Sequence, residues 1–224
     1  MDSFIIGAYW GSRAEELSRI TKKILTLLEL LRQKDEQFLN FYELGSSRKE
    51  ALDNKISLDE ATIQKLCLQK VRKGELDEKG FSKNGFLFGL WTGQSDEESS
   101  GLTFSVGGDF SVAGLSNRII IKIPFMGQAR DRLLKLENAK AIIEILVKVW
   151  NPDYAVLISD SLRDKINMGN NVGWITYRRS LRNIPNGIMH ESVHDGHLLI
   201  VPSYSGYDIA ASEKELLTVA KSIG

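Results

Sequence analysis

All three histidines of this chain lie within eight residues, in His190-Glu191-Ser192-Val193-His194 and His197. The first five spell H-E-x-x-H. On a helix that pattern binds zinc through two imidazoles, with the glutamate as general base on a bound water. The alternative function this motif raises is therefore a zinc-dependent hydrolase. The chemistry demands a helix, because only there do residues four apart share a face at short range. The flanks oppose one: Pro185 and Gly187 lie upstream, and Asp195-Gly196 is a hairpin-type turn signal followed by a strand. In a strand His190 and His194 would sit roughly 13 Å apart, too far to chelate one ion. The expected arrangement is a polar strand-turn-strand edge, with no metal and no cofactor.

Two other patterns could engage a ligand. Gly7 and Gly11 precede a helix signal, and Arg13 follows, so an anion could rest on the helix N-terminus. Neither the dinucleotide fingerprint nor the lysine-containing phosphate loop is met, so the glycines are read as a turn. Carboxylates are the remaining candidates. Asp96, Glu97 and Glu98 lie in a polar loop between Gly93 and Gly101, and Glu191 and Asp195 lie in the histidine segment. Exposed carboxylates of this kind suit contact with a basic partner surface. No G-x-S-x-G elbow marks a serine nucleophile.

The elements that must position these residues follow from periodicity. Phe4 to Tyr9 reads as a strand. Ser12 and Glu15 form a capping-box pattern ahead of a long helix whose apolar face is Leu17, Ile20, Ile24, Leu27, Leu28 and Leu31. Phe38 to Leu44, with three aromatics, reads as a strand. Ser57 and Glu60 cap a helix over Leu58–Arg72, with Cys67 on its apolar side. Phe86–Trp91, Leu102–Val106 and Arg118–Ile123 read as an antiparallel meander, turned at Gly107-Gly108-Asp109. A helix over Glu137–Val149 is apolar nearly all round and ends at Asn151-Pro152. Strands at Tyr154–Ser159 and His197–Val201 follow, separated by Asn170-Asn171, Gly173–Arg179 and a loop through Pro185. A last helix is capped by Ser212 and Glu215, with Leu216, Val219, Ala220 and Ile223 on its face. The expected architecture is a single α+β domain over residues 1–224, a largely antiparallel or mixed sheet packed with about four helices.

The bulk numbers narrow the function. Of 224 residues, 29 are basic and 29 acidic, so the net charge is zero. A chain built for non-specific nucleic-acid binding is usually basic, so no direct nucleic-acid partner is expected. One cysteine permits no internal disulfide and no multi-cysteine zinc site. No segment resembles a signal peptide, and no apolar run approaches a membrane span. A cytoplasmic location is the expectation.

Four short segments occur in order: Tyr9-Trp10-Gly11-x-Arg13-x-Glu15, Leu44-Gly45-Ser46-Ser47-Arg48, Trp150-x-Pro152-Asp153 and Gly173-Trp174-Ile175-Thr176-Tyr177. In these the chain resembles the immunity protein 52 family of bacterial polymorphic toxin systems, over nearly its whole length. The resemblance implies an α+β fold and a non-enzymatic role. Its members bind a cognate toxin, often a nuclease, and block it in the cytoplasm. It carries no catalytic residue onto this chain. Trp10, Gly11, Arg13 and Trp174 are expected to set the fold, with Arg13 paired to a carboxylate.

Overall fold

A computed structural model describes residues 2–109, 117–165, 172–181, 184, 187–202, 204 and 214–220. They form two compact units, one of residues 1–8 with 122–224 and one of residues 9–121. The first strand, β1 (Phe4–Trp10), runs out of the former and into the latter. Both units are α+β, and the five strand pairs of defined register are antiparallel. Asn170-Asn171, Pro185, Ser212 and Ile223, which the sequence reading assigns to turns and the last helix, lie outside the described residues.

In the unit of residues 9–121, α1 (Leu17–Lys34) buries Ile20, Ile24, Leu27, Leu28 and Leu31, the stripe expected from its periodicity. Its start differs from expectation. The N-cap is Glu16, which makes no side-chain cap bond. The Ser12 hydroxyl instead donates to the Asp109 carboxylate, 97 residues away. Glu15 is buried and holds the Lys23 ammonium at 2.5 Å and 2.8 Å, with Arg19 at 3.4 Å. Burial lowers the pKa of Lys23, and the bonded Glu15 carboxylate opposes that shift. The Arg13 guanidinium lies over the Trp10 ring, 5.7 Å from its centroid.

The corner at Gly11 is pinned by Asn117, which is fully buried. Its side-chain oxygen accepts from the Gly108 N–H at 2.9 Å. Its amide donates to the carbonyls of Gly11 at 2.8 Å and Gly108 at 3.0 Å.

Phe38 to Leu44 is not one strand. Glu36–Phe38 make a 3-10 turn, and β2 covers only Tyr42–Glu43. Asp35 accepts from the Gln37 N–H at 2.8 Å, so a local side-chain cap outcompetes the extended chain. A short helix, α2 (Arg48–Asp53), was hidden in the sequence. Ser47 accepts from the Glu50 N–H, and Glu50 accepts from the Ser46 N–H, close to a capping box. The next helix, α3, spans Glu60–Leu68 and is capped by Asp59 through the Thr62 N–H, not by Ser57.

Helix α3 buries Ile63, Leu66 and Cys67. Burial pushes the Cys67 thiol up to about 12. The thiolate is the reactive form, so iodoacetamide at pH 8 is expected to leave the folded protein unlabelled and to label it once denatured. Labelling of the native chain at a free-thiol rate would contradict this burial.

Strands β3 (Phe86–Trp91), β4 (Gly101–Val106) and β5 (Asn117–Lys122) complete the expected meander, in the order β2-β3-β4-β5. Phe86, Phe88, Leu90, Leu102, Phe104 and Val106 point to one face and are buried, as strict alternation requires. The cross-strand pair Phe88–Phe104 stacks at 4.6 Å.

In the other unit, α4 spans Gln128–Leu133 and α5 spans Leu136–Trp150. The apolar composition of α5 resolves into one buried side, Ala139, Ile142, Ile143, Leu146, Val147 and Trp150. Ile145 and Val149 remain half-buried. Asn151 ends the helix in the left-handed region, φ 46°. The strands here are β6 (Tyr154–Ser159), β7 (Ile175–Arg178), β8 (Met189–Val193) and β9 (Gly196–Ile200), in the order β1-β6-β7-β9-β8. A helix absent from the sequence reading, α6 (Asp160–Lys165), follows β6. A final helix spans residues 214–220 and buries Leu216, Val219 and Ala220.

Between α6 and β7, Gly173 and Trp174 fold tightly onto β6. The Trp174 N–H donates to the Leu157 carbonyl at 3.0 Å, and the Gly173 N–H donates to the Thr176 hydroxyl at 2.9 Å. The Trp174 ring sits 5.3 Å from Phe4. Among the described residues no helix is long and apolar enough to cross a membrane.

Candidate partner-binding surfaces

The acidic loop joins β3 to β4. Gly93 opens it at φ 87°, and a Cβ there would lie 2.4 Å from the Tyr42 ring. Only glycine meets both demands. The loop closes where the Thr92 N–H donates to the Ser100 carbonyl at 3.0 Å and the Ser100 N–H to the Thr92 hydroxyl at 2.9 Å. Within it, the Ser95 carbonyl accepts from the N–H groups of Glu98 and Ser99, making one helical turn.

Buried Gln37 braces that turn from beneath. Its amide donates to the Glu98 carbonyl at 2.8 Å and reaches the Thr92 hydroxyl at 3.2 Å and the Gln94 side chain at 3.3 Å. The Asp35 cap on the Gln37 N–H fixes the residue that does this. Asp96, Glu97 and Glu98 are all exposed. The Glu98 carboxylate accepts from the Ser95 hydroxyl at 3.1 Å. Among the described residues Asp96 and Glu97 make no ion pair or side-chain hydrogen bond. The nearby Arg48 donates through Nε to the Gln94 carbonyl at 3.4 Å. A loop held this firmly presents its charges with little ordering cost on binding.

The histidine segment folds as a hairpin in the other unit. His190 and Glu191 lie in β8, so adjacent side chains point to opposite faces. His194 and Asp195 form the two-residue turn, His194 at φ 52°. The turn therefore falls one residue earlier than the Asp195-Gly196 signal, and Gly196 is the first residue of β9. The helix that H-E-x-x-H chemistry needs is replaced by a strand and its turn. Among the described residues no group of three or more His, Cys, Asp or Glu side chains is placed to hold a metal. Glu191 is tethered: it accepts from the ammonium of Lys140 on α5, which also lies 3.8 Å from Glu144. Asp195 is exposed at the turn.

The five sequence-predicted carboxylates thus fall into two sets, Asp96, Glu97 and Glu98 in one unit and Glu191 and Asp195 in the other. Sequence reasoning missed Gln37 and Lys140, which set how each group is displayed. Neither leaves a local sequence signal, since their partners lie 61 and 51 residues away.

The family model for immunity protein 52 matches residues 2–219. The chain belongs to the immunity protein 52 family. The Tyr9–Glu15, Leu44–Arg48, Trp150–Asp153 and Gly173–Tyr177 segments all fall inside this match. No curated protein matches this immunity-family chain. Among solved structures it is similar to the Pseudomonas aeruginosa T6SS protein PA0821 at a TM-score of 0.55. The two are 10% identical, and the likeness covers 100% of this chain and 76% of that one. At that identity the similarity speaks for the fold of this family member.

Proposed function

We propose that the chain neutralises a cognate bacterial toxin by binding it, without catalysis, in the cytoplasm of the producing cell. The toxin class that fits is a nuclease, whose substrate cleft is basic. The observation that supports this is the Thr92–Ser100 loop: an acidic turn, rigidly braced by Gln37, in which Asp96 and Glu97 have no side-chain partner among the described residues. Such charges repel nucleic acid and attract a surface that normally holds phosphates. Electrostatic steering of this kind raises association rates by roughly tenfold or more at low salt.

The test is co-expression with the polypeptide encoded beside this chain's gene. Cells carrying both are expected to grow, and cells carrying the neighbour alone to die. The Asp96→Lys/Glu97→Lys double variant is expected to fold normally, because neither carboxylate is bonded among the described residues. It should associate about tenfold more slowly at low salt, with the difference shrinking as salt rises. An unchanged association rate would remove this loop from the interface.

A further inference from the structure

Strand β8 ends its sheet, with β9 on one side only. The phase of its hydrogen bonding follows from the hairpin. Around a two-residue turn the flanking residues, Val193 and Gly196, exchange backbone bonds. Bonded pairs then alternate, so Glu191 pairs with Leu198 and Met189 with Ile200. The far side of β9 is in the same phase: Leu199 and His197 face β7, and the next alternate residue, Val201, donates to the Trp174 carbonyl. The N–H and C=O groups of His190 and Ser192 therefore point away from β9. Among the described residues they meet no hydrogen-bond partner.

Among the described residues no strand covers this edge, and its register carries no bulge. Met189 to Ser192 are exposed, Met189 by 50%, and neither proline nor lysine interrupts the strand. Among the described residues carboxylates gather beside it. Glu191 and Glu144 share the single ammonium of Lys140, and Asp195 adds a carboxylate at the turn.

We propose that β8 accepts an extended, basic segment of the bound toxin as an added antiparallel strand. The inference rests on the toxin-binding reading and assigns it a second contact. The incoming backbone pairs with His190 and Ser192, a Lys or Arg of that segment lies beside Glu191, and an apolar residue covers Met189. A second copy of this chain fits worse. In the antiparallel register centred on the strand, Glu191 would face Glu191 of the copy, and directly opposed like charges repel.

Proline at Ser192 tests the edge selectively. It removes the outward N–H and blocks approach, while the Ser192–His197 pair carries no ladder bond to lose. Binding of purified full-length Ser192→Pro to the neighbour-encoded polypeptide is expected to weaken by roughly 100-fold or more. The Ser192→Ala variant should stay within about threefold of the unsubstituted chain, since the side chain is not the contact. Circular dichroism checks that the fold persists. Hydrogen exchange on the unsubstituted chain provides a readout free of mutation: the His190 and Ser192 amides should become protected only in the complex. Tight binding by Ser192→Pro, or unprotected His190 and Ser192 amides in the complex, overturns the strand contact and leaves toxin binding standing. Failure of the unsubstituted chain to bind the neighbour-encoded polypeptide overturns both. A concentration-dependent dimer that Ser192→Pro abolishes makes a second copy the occupant and likewise overturns the proposal.

Discussion

Gly173→Ala is expected to destabilise the protein by about 3 kcal/mol or more, at the upper end of the usual cost of overpacking. An ideal Cβ at Gly173 would lie 1.9 Å from the Leu157 carbonyl oxygen, 2.7 Å from the Leu157 carbonyl carbon and 2.5 Å from a Val156 methyl. The methyl could rotate, but the carbonyl belongs to β6 and already accepts from the Trp174 N–H. Relief requires the strand or the turn to move. Moving the turn also disturbs the Trp174 carbonyl, which accepts from Val201, and the Trp174 ring against Phe4. For a chain of this length the loss corresponds to a fall of roughly 6–12 °C in thermal midpoint. Calorimetry of the purified variant checks it. A shift under about 2 °C would mean that the turn has slack the distances deny.

The second large effect is expected at Asn117. One buried amide serves three backbone groups, the Gly108 N–H and the carbonyls of Gly11 and Gly108. Asn117→Ala leaves the N–H without that acceptor inside the protein. An unsatisfied buried donor costs about 1–3 kcal/mol. The Gly108 carbonyl suffers less, since it also accepts from the Arg13 N–H at 3.1 Å. The expected total is about 2–3 kcal/mol, measured as a shift in urea midpoint at unchanged slope. Asn117→Asp keeps the acceptor but buries a carboxylate against the Gly11 and Gly108 carbonyls, so it should be at least as destabilised as the alanine variant. An aspartate variant as stable as the unsubstituted chain would mean that the Gly11 and Gly108 carbonyls do not rely on the amide.

These positions differ in how far the sequence exposed them. Gly173-Trp174 stood inside a recognisable segment, although nothing local revealed that Leu157 would crowd the glycine. Asn117 carried no signal, because its partners are distant in sequence or are glycines with no side chain to betray contact. Long regular elements were legible where one face is buried, whereas the six-residue helices α2, α4 and α6 were not. The stripe of α1 and the alternation along β4 are direct records of a core on one side. Turn chemistry also made the strand-turn-strand context of His190 and His194 legible in the sequence.

Helix starts were less legible, because several polar residues competed for each cap. Asp59 took the role assigned to Ser57, and Ser12 bonded to Asp109 instead. The carboxylates of the candidate surfaces were correctly expected to be exposed. Their display depends on Gln37 and Lys140, and such non-local contacts leave no spacing to read.

The division of the chain has a consequence for its synthesis. The unit of residues 9–121 is one continuous run, whereas residues 2–4 bond to groups far along the chain. The Asp2 carbonyl accepts from Arg130, the Ser3 carbonyl from the Asp160 N–H and the Phe4 carbonyl from the Ile123 N–H. These three residues are thus made long before the groups they bond. During translation the apolar run Phe4, Ile5 and Ile6 stays open to chaperones and proteases until Ile123 has been made.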